Sequence, residues 1–592
     1  MLDDEITRNH LITRRTFLLR AGKISLLSIL IGRMSYLQLI KSNEYKILSD
    51  KNRISLIILP PARGGIKDRN GVIIAENRSS FFIKIDKRLE KNYTESAERL
   101  FRMLKIDEKS VSKILSKLKK SNKRIPFTII SDAAWEDIAK IEENISVLPG
   151  IYVEKGQIRQ YKMPFSFCHV TGYVGRVAED EMMESSQIPP EFTIGKTGVE
   201  KNYEDTLQGR AGYKKIEIDA RGLFVRQVEK EDPISGVDIE LTIDSRLQEH
   251  IYNILPPEGG SAIVMEINTG EIIACVSKGA FDPNEFASGI SASSWQSLNS
   301  DQYKPLINKI AYSQYPPGST FKLMTILAAL EAGIPISQKF TCTGSIHLGN
   351  RDFNCWKKEG HGAIDMMNSI KHSCNCYMFN LSRLIGAESI LNVAKRFGYG
   401  SPTNIDFPSE MTGFVPDRAW KLRRFKFDWS LGDSFNISIG QGALLATPIQ
   451  LAVMTAGIAS GKFLVKPRLA ANAEVKTNLI DVKQEHLDFI RDAMYKAVHE
   501  EGGSCFASRS LIHPFAGKTG TAQVIAKKNA NDDLSRANID WQKRNHALFS
   551  GFTPIFEPKY AISIIIDHGG GGGRVAGPIA REISEFLGSH KL

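Results

Sequence analysis

The core helix of this chain is predicted from one segment, Tyr315-Pro-Pro-Gly-Ser-Thr-Phe-Lys-Leu-Met-Thr-Ile-Leu-Ala-Ala-Leu-Glu-Ala-Gly333. Its Pro-Pro-Gly turn ends any preceding element, strong helix formers follow, and Gly333 suits a C-terminal cap. Ser319 stands at the N-terminal end, and Lys322 follows one turn later on the same face. A serine becomes a nucleophile when a base removes its proton, and a lysine with a depressed pKa is such a base. The segment therefore predicts either a catalytic Ser319–Lys322 pair or a capped helix with a surface lysine.

The Ser-x-x-Lys spacing does not decide between these two interpretations, because it recurs at Ser110 and Lys113 in a lysine-rich stretch. Two clusters further along the chain favour the catalytic interpretation. These are Ser373-Cys-Asn375 and Lys518-Thr-Gly-Thr-Ala-Gln523. In this order the three motifs resemble the Ser-x-x-Lys, Ser-x-Asn and Lys-Thr-Gly set of penicillin-binding proteins and β-lactamases.

The resemblance implies a role for each residue of the first two motifs. Lys322 would deprotonate Ser319, which attacks a carbonyl carbon. Ser373 would relay the proton to the leaving amine, and Asn375 would position the substrate amide. Lys518 would hold down the pKa of Lys322, because like charges disfavour each other.

The third motif is predicted to bind substrate along an edge strand. Lys518, Thr519 and Thr521 offer cationic and hydroxyl donors to a terminal carboxylate. Gly520 would let an extended peptide lie against the strand. Backbone N–H groups of Ser319 and Thr521 would form an oxyanion hole.

Further segments resemble the class B penicillin-binding proteins, the monofunctional transpeptidases of cell elongation, over nearly the whole chain. They are Arg63-Gly64, Asp68-Arg-Asn-Gly71, Gly195-Lys-Thr-Gly-Val-Glu200, Trp356-Lys-Lys-Glu-Gly-His-Gly362, Ser438-Ile-Gly-Gln-Gly442 and the glycines at 569–573. This resemblance implies a peptidoglycan D,D-transpeptidase that cross-links stem peptides, a D-Ala-D-Ala donor and an amine acceptor, through a Ser319 acyl-enzyme. β-Lactams would acylate Ser319, and the chemistry would need no cofactor. The implied partners are a RodA-type SEDS glycosyltransferase and other elongation-complex proteins.

Two alternatives remain at this point. A β-lactamase or D,D-carboxypeptidase would use water as the acceptor, although no carboxylate stands in a clear motif for a hydrolytic base. A β-lactam-binding scaffold would carry the site without catalysis.

The 592 residues predict several domains of mixed α+β structure. We expect a cytoplasmic tail at 1–15, a transmembrane anchor at 16–40, a β-rich non-catalytic pedestal or dimerisation-type domain at 41–235 with a helical head insert at about 80–150, and a transpeptidase domain at 236–592. The last domain should have a serine β-lactamase-like fold. Strands near both of its ends should share one sheet, with helices between them.

Basic residues precede two apolar runs at 24–32 and 34–40, and no small-x-small cleavage site follows. This pattern favours an uncleaved single-pass anchor in the bacterial inner membrane, with the N-terminus in the cytoplasm and the catalytic domain in the periplasm. A twin-arginine export signal at Arg14 and Arg15 and a peripheral amphipathic helix are the alternatives. The net charge of +11 suits an anionic neighbour, but no nucleic-acid motif is present, so nucleic acid is not an expected partner.

Four of the seven cysteines fall between Cys342 and Cys376. Cys342, Cys355, His361 and Cys374 have the ligand chemistry of a structural Cys₃His zinc site. Because Cys374 lies inside the Ser-x-Asn motif, a metal there would fix the loop that carries Ser373 and Asn375. A Cys342–Cys355 disulfide is the alternative, and Cys376 is predicted to point to the opposite side, into the core.

Overall fold

The computed structural model describes residues 2–41, 54–121, 126–177, 181, 192–218, 224–525 and 539–590. These residues form two compact units. The first comprises Met1–Pro61 and Arg210–Ile234, and the second comprises Ala62–Gly209 and Ser235–Leu592.

The first unit contains a long helix and a small sheet. The helix Leu2–Ser35 continues into a π-helical turn, Tyr36–Ile40. The sheet is antiparallel, with Gly212–Ile218 between Ile54–Leu59 and Phe224–Glu231. Among the described residues, no helix combines the length and the apolar character needed to cross a membrane.

The second unit begins with a five-stranded sheet built on the strand Ile73–Ile85. This strand pairs with Ile151–Tyr161 from Ala75 to Ile85, and alternate residues such as Ile83 and Ile85 are buried. The remaining strands are Ile66–Lys67, Phe127–Ile130 and Ile239–Glu240. The helices around it are Tyr93–Met103, Glu108–Lys120, Trp135–Glu143, Pro164–Thr171, Gly198–Asn202 and Glu204–Leu207, and Val174–Arg176 pairs with Thr193–Gly195.

A buried network of charged side chains lies in the core of this part of the unit. The Glu200 carboxylate receives Arg63 Nε at 2.6 Å and Arg159 Nε at 2.7 Å, and the Tyr161 hydroxyl donates to it at 3.2 Å. Burial opposes the charge of Glu200, but the two arginines outweigh it and lower the pKa of this carboxyl. The Gly195–Glu200 motif therefore leads from the end of a strand into the helix Gly198–Asn202, which places Glu200 in the core.

The sheet of the following part confirms the expected α+β architecture. Its strands run in the order Ile272–Lys278, Gly260–Glu266, Tyr560–Ile566, His546–Thr553 and Ala516–Ala522, all antiparallel. Strands from both ends of the predicted domain thus share one sheet. Both faces are covered: Ile263 and Met265 pack into one apolar cluster, while Ala262 and Val264 pack into another. The continuous apolar character of these strands follows from that double burial.

Helices cover both faces of this sheet. Among them, Ser245–Ile254, Pro448–Ser460 and Gly572–Ser589 contact the strands. The other helices of this part of the chain are Pro283–Ser288, Ala292–Ser300, Lys309–Tyr312, Lys322–Glu331, Met366–Lys371, Asn375–Arg396, Arg418–Phe425, Leu431–Ser438 and Gln484–His499. Two-stranded antiparallel pairs join Phe340–Cys342 to Gly362–Ile364, Ser345–Leu348 to Arg351–Asn354, and Phe463–Val465 to Thr477–Leu479. The strand Ala516–Ala522, called the edge strand below, lies at the end of the sheet.

Candidate active site

Ser319 lies in a tight turn that precedes the core helix. Residues Gly318–Phe321 form a 3₁₀ turn, and the α-helix begins at Lys322 and ends at Glu331. Gly318 has φ +55°, and its N–H donates to Gly440 O at 2.9 Å. A Cβ on Gly318 would lie 2.7 Å from Thr521 O. Only glycine therefore allows the turn to press Ser319 against the edge strand.

Lys322, the first residue after this turn, is fully buried. Its amine donates to Ser373 O at 2.7 Å, to Ser373 Oγ at 3.1 Å and to Asn375 Oδ1 at 2.7 Å. No hydrogen bond joins it to Ser319 in the described part of the chain, where the sequence led us to expect one. Burial lowers the pKa of Lys322 from 10.5 to about 8. A lysine in this state can accept a proton near neutral pH.

The Ser-x-Asn motif bridges two helices. The helix Met366–Lys371 ends just before Ser373, and Asn375 begins the helix Asn375–Arg396. Ser373 has φ +55°, which is uncommon for a residue with a side chain and is typical of functional sites. This conformation directs both its carbonyl and its hydroxyl towards Lys322.

Lys518 completes the cluster from the edge strand. It is fully buried, and its amine donates to Ser373 Oγ at 2.9 Å and to Thr519 O at 3.0 Å. Burial lowers the pKa of Lys518 well below its ordinary value, and the charge of Lys322 lowers it further. Two buried amines around one hydroxyl oxygen cannot both stay charged at low cost. The Ser373 hydroxyl can donate to whichever amine is neutral.

The edge strand presents one free side to the site. Within the described residues it pairs only with His546–Thr553. Thr519 Oγ1 donates to Ser504 Oγ at 3.2 Å, and Gln441 Nε2 donates to Thr521 O at 3.0 Å. Ser504 thus orients the Thr519 hydroxyl, and Gln441 fixes the backbone of the strand at Thr521, where a substrate carboxylate is predicted to bind. The sequence analysis singled out the segment Ser438–Gly442, which contains Gln441, but predicted no role for Gln441. No motif in the sequence pointed to Ser504.

Gly520 has a structural role that the sequence did not predict. A Cβ at this position would lie 3.1 Å from Thr320 Cγ2 and 3.2 Å from Pro317 O. The missing side chain thus makes room for the Ser319 turn itself, where the sequence suggested space for a peptide.

The structure brings the four predicted metal ligands together. The ligand atoms of Cys342, Cys355, His361 and Cys374 all lie within 4.8 Å of one another. His361 Nδ1 is 3.6 Å from both Cys342 Sγ and Cys355 Sγ. Tetrahedral zinc, with Zn–S of about 2.3 Å and Zn–N of about 2.0–2.1 Å, requires S···N edges of about 3.6 Å. The donor set therefore fits zinc.

The other cysteine predictions have mixed outcomes. All seven cysteines are free, so the Cys342–Cys355 disulfide is absent. Cys376 is buried, as expected, but it does not point away from the cluster. Its thiol hydrogen-bonds to Cys355, which together with burial raises its pKa. Cys374 has extended backbone geometry as the N-cap of the helix that begins at Asn375, whereas Cys376 lies inside that helix, so the alternation of sides expected for an extended chain does not apply.

Two family models match the chain. The penicillin-binding protein transpeptidase domain matches residues 260–585, and the penicillin-binding protein dimerisation domain matches residues 58–241. The peptidoglycan D,D-transpeptidase MrdA of Acinetobacter baumannii is 35% identical over 573 residues, which cover 93% of this chain and 85% of the relative.

Solved structures agree with these matches. The complex of penicillin-binding protein 2 with MreC from Helicobacter pylori has a TM-score of 0.81 at 30% identity, covering 90% of this chain and 99% of that one. Pseudomonas aeruginosa penicillin-binding protein 2 in complex with WCK 5153 has a TM-score of 0.67 at 28% identity, covering 89% and 96%.

The close approach at Gly318 yields a prediction. Gly318→Ala should slow acylation by a β-lactam about 100-fold, because the new Cβ displaces Ser319 from the edge strand. The rate is measured by stopped-flow with a fluorescent penicillin. Gly333→Ala is the matched control, since Gly333 also has positive φ but has no atom within 4 Å of its Cβ position. Equal rates for the two variants would contradict this role of Gly318.

Proposed function

Because the chain belongs to the penicillin-binding protein 2 family of peptidoglycan D,D-transpeptidases, we propose that it cross-links stem peptides through an acyl-enzyme on Ser319. The observation that carries the proposal is the placement of Ser373 Oγ between the buried amines of Lys322 and Lys518, at 3.1 and 2.9 Å. Such an arrangement provides a proton route from the nucleophile to the leaving group.

In the acylation step, Lys322 takes the proton of Ser319 as Ser319 Oγ attacks the carbonyl carbon of the penultimate D-Ala. The oxyanion is stabilised by the N–H groups of Ser319 and Thr521, each worth about 10²–10³ in rate. The C–N bond to the terminal D-Ala breaks, and its nitrogen receives the proton through Ser373. Asn375 orients the donor amide.

In the second step, the acceptor amine attacks the ester carbonyl carbon of Ser319. It gives up its proton through the same residues, and Ser319 Oγ leaves and is reprotonated. The product is a new amide bond between two stem peptides. Before the terminal D-Ala leaves in the acylation step, Lys518, Thr519 and Thr521 would bind its carboxylate along the free side of the edge strand.

We also propose a structural zinc held by Cys342, Cys355, His361 and Cys374. When bound, it would supply no chemistry to the reaction but would cross-link the hairpins that carry Cys342 and Cys355 to the Ser-x-Asn loop. Asn375 N donates to Cys355 Sγ at 3.4 Å, so the cluster is continuous with the site. Holding Cys374 would hold Ser373 in its positive-φ conformation.

For the location of the enzyme, we propose a single-pass anchor at 16–40 in the inner membrane, with the catalytic part in the periplasm. Apolar side chains such as Leu26, Ile29 and Leu30 are 54–66% exposed, as expected of a helix that contacts lipid. The family implies elongation-complex partners, among them an MreC-type protein and a RodA-type glycosyltransferase, at 41–235 and at the membrane.

Ser319→Ala tests the nucleophile. Intact mass of the full-length protein should show one covalent adduct per chain after incubation with benzylpenicillin, and Ser319→Ala should show none. Ser110→Ala, which changes a serine in a second Ser-x-x-Lys sequence, should behave as wild type. Drug hydrolysis without a lasting adduct would indicate a β-lactamase, and an adduct on Ser319→Ala would remove this serine from the proposal.

Metal analysis tests the zinc site. We expect about one zinc per chain, lost in Cys355→Ser but kept in Cys275→Ser, which changes a buried cysteine outside the cluster. Chelation should also lower the Tm of wild type and leave seven titratable thiols. Five thiols would indicate a disulfide, and a metal-free protein with an unchanged Tm would exclude the zinc proposal.

A further inference from the structure

A cavity of about 380 Å³ lies outside the Lys322–Ser373–Lys518 cluster. Its size falls within the range of small-molecule sites, about 300–1,000 Å³. It lies where the edge strand ends, because Ala522 pairs with His546 and the next strand ends just before Asp567. The lining residues used below are Tyr303, Lys304, Lys309, Trp541, Asp567 and His568.

One wall of the cavity is aromatic. The Tyr303 and Trp541 rings meet edge to face at 5.0 Å, and the Trp541 and His568 rings lie 4.4 Å apart. All three side chains are half-buried. They offer ring surface to a ligand without being part of the core.

A buried carboxyl group forms a polar part of the lining. Asp567 is 8% exposed, and its Oδ1 accepts a hydrogen bond from the Tyr315 hydroxyl at 2.8 Å. Its Oδ2 has no hydrogen bond among the described residues, and the nearest cation, Lys309 Nζ, is 4.0 Å away. Lys309 instead donates to Lys278 O and Tyr303 O at 2.7 and 3.0 Å. A carboxylate oxygen that lines a cavity and accepts no hydrogen bond from the described residues is suited to a ligand hydroxyl or N–H.

The charges and the aromatic rings of the lining together indicate which class of ligand the cavity would bind. Lys304 and Lys309 disfavour a cation, and Asp567 disfavours an anion. Exposed Gln302 and Gln542 at the opening offer further amide donors and acceptors. Aromatic rings together with polar groups in one lining fit a neutral ring with an apolar face and several hydroxyl and amide groups, which describes an N-acetylated hexose.

We propose that this cavity is a saccharide subsite that binds one N-acetylhexosamine ring of the peptidoglycan glycan strand. The proposal rests on the peptidoglycan substrate of the proposed function. Tyr315 contributes both to the cavity and to the turn that leads to Ser319, so a ring held here lies beside the reacting peptide. Glycan binding at this subsite would raise the effective concentration of attached stem peptides near Ser319.

Titration with tetra-N-acetylchitotetraose, followed by calorimetry and ligand-observed NMR on the full-length protein, tests this subsite. We expect saturable binding that weakens at least tenfold in Trp541→Ala and in Asp567→Asn. Trp135→Ala is the matched control, because Trp135 is 68% exposed in the helix Trp135–Glu143, outside the cavity, and should bind as wild type. β-Lactam acylation of each variant verifies folding. If Trp541→Ala fails to acylate, Gln542→Ala and Lys304→Ala, whose side chains are exposed, replace it.

The Ser319→Ala variant distinguishes failure of the saccharide subsite from failure of the proposed transpeptidase function. It should lose acylation yet bind the tetrasaccharide as wild type does. The subsite is overturned if wild type shows no saturable binding, or if the cavity variants bind as tightly as Trp135→Ala. It is also overturned if diaminopimelate, in place of the saccharide, binds to wild type and loses binding in Trp541→Ala, which would assign the cavity to an amine.

Discussion

The site depends on the burial of two lysine amines around one serine hydroxyl. Lys322 and Lys518 are fully removed from solvent, and both donate to Ser373 Oγ. In water each amine would hold its proton tightly near pH 7. Desolvation weakens that hold on both amines, and the charge of Lys322 weakens it further on Lys518, where the sequence led us to expect the reverse. In the proposed mechanism, a proton therefore moves among Ser319, Lys322 and Ser373 at the pH at which a cell grows. The reactivity of Ser319 is therefore set by the packing of the surrounding domain.

The fold supplies this burial by bringing three distant segments to one point. Lys322 comes from the core helix, Ser373 from the turn between two helices, and Lys518 from the edge strand of a sheet covered on both faces. Glycines at 318 and 520 allow the turn and the strand to approach more closely than side chains would permit. The Cys–His cluster adjoins the turn, and the cavity that includes Trp541 and Asp567 lies beyond the end of the strand. Positioning, proton transfer and substrate binding thus share one framework.

The sequence was sufficient for the architecture and for the residues that converge. The order of the three motifs, the apolar runs of the strands and the clustering of residues with zinc-ligand chemistry (Cys342, Cys355, His361 and Cys374) are local patterns, and local patterns can be read from a chain. The hydrogen bonds of Lys322 could not be predicted from the sequence, because a position in a helix gives the direction of a side chain but not its partner 51 residues away. The role of Gly520 and the grouping of Tyr303 with Trp541 likewise depend on tertiary packing.

The most direct measurement of this account is the pH dependence of Ser319 acylation by a β-lactam whose own charge is constant above pH 5. Lys322 acts as base only when deprotonated, so its lowered pKa places the rise in rate at lower pH than an exposed lysine would. We expect the second-order rate constant to increase between pH 6 and 9 with a midpoint near the Lys322 pKa of about 8. A rate that is flat over this range, or a midpoint near the ordinary lysine pKa of about 10.4, would contradict the buried-lysine mechanism.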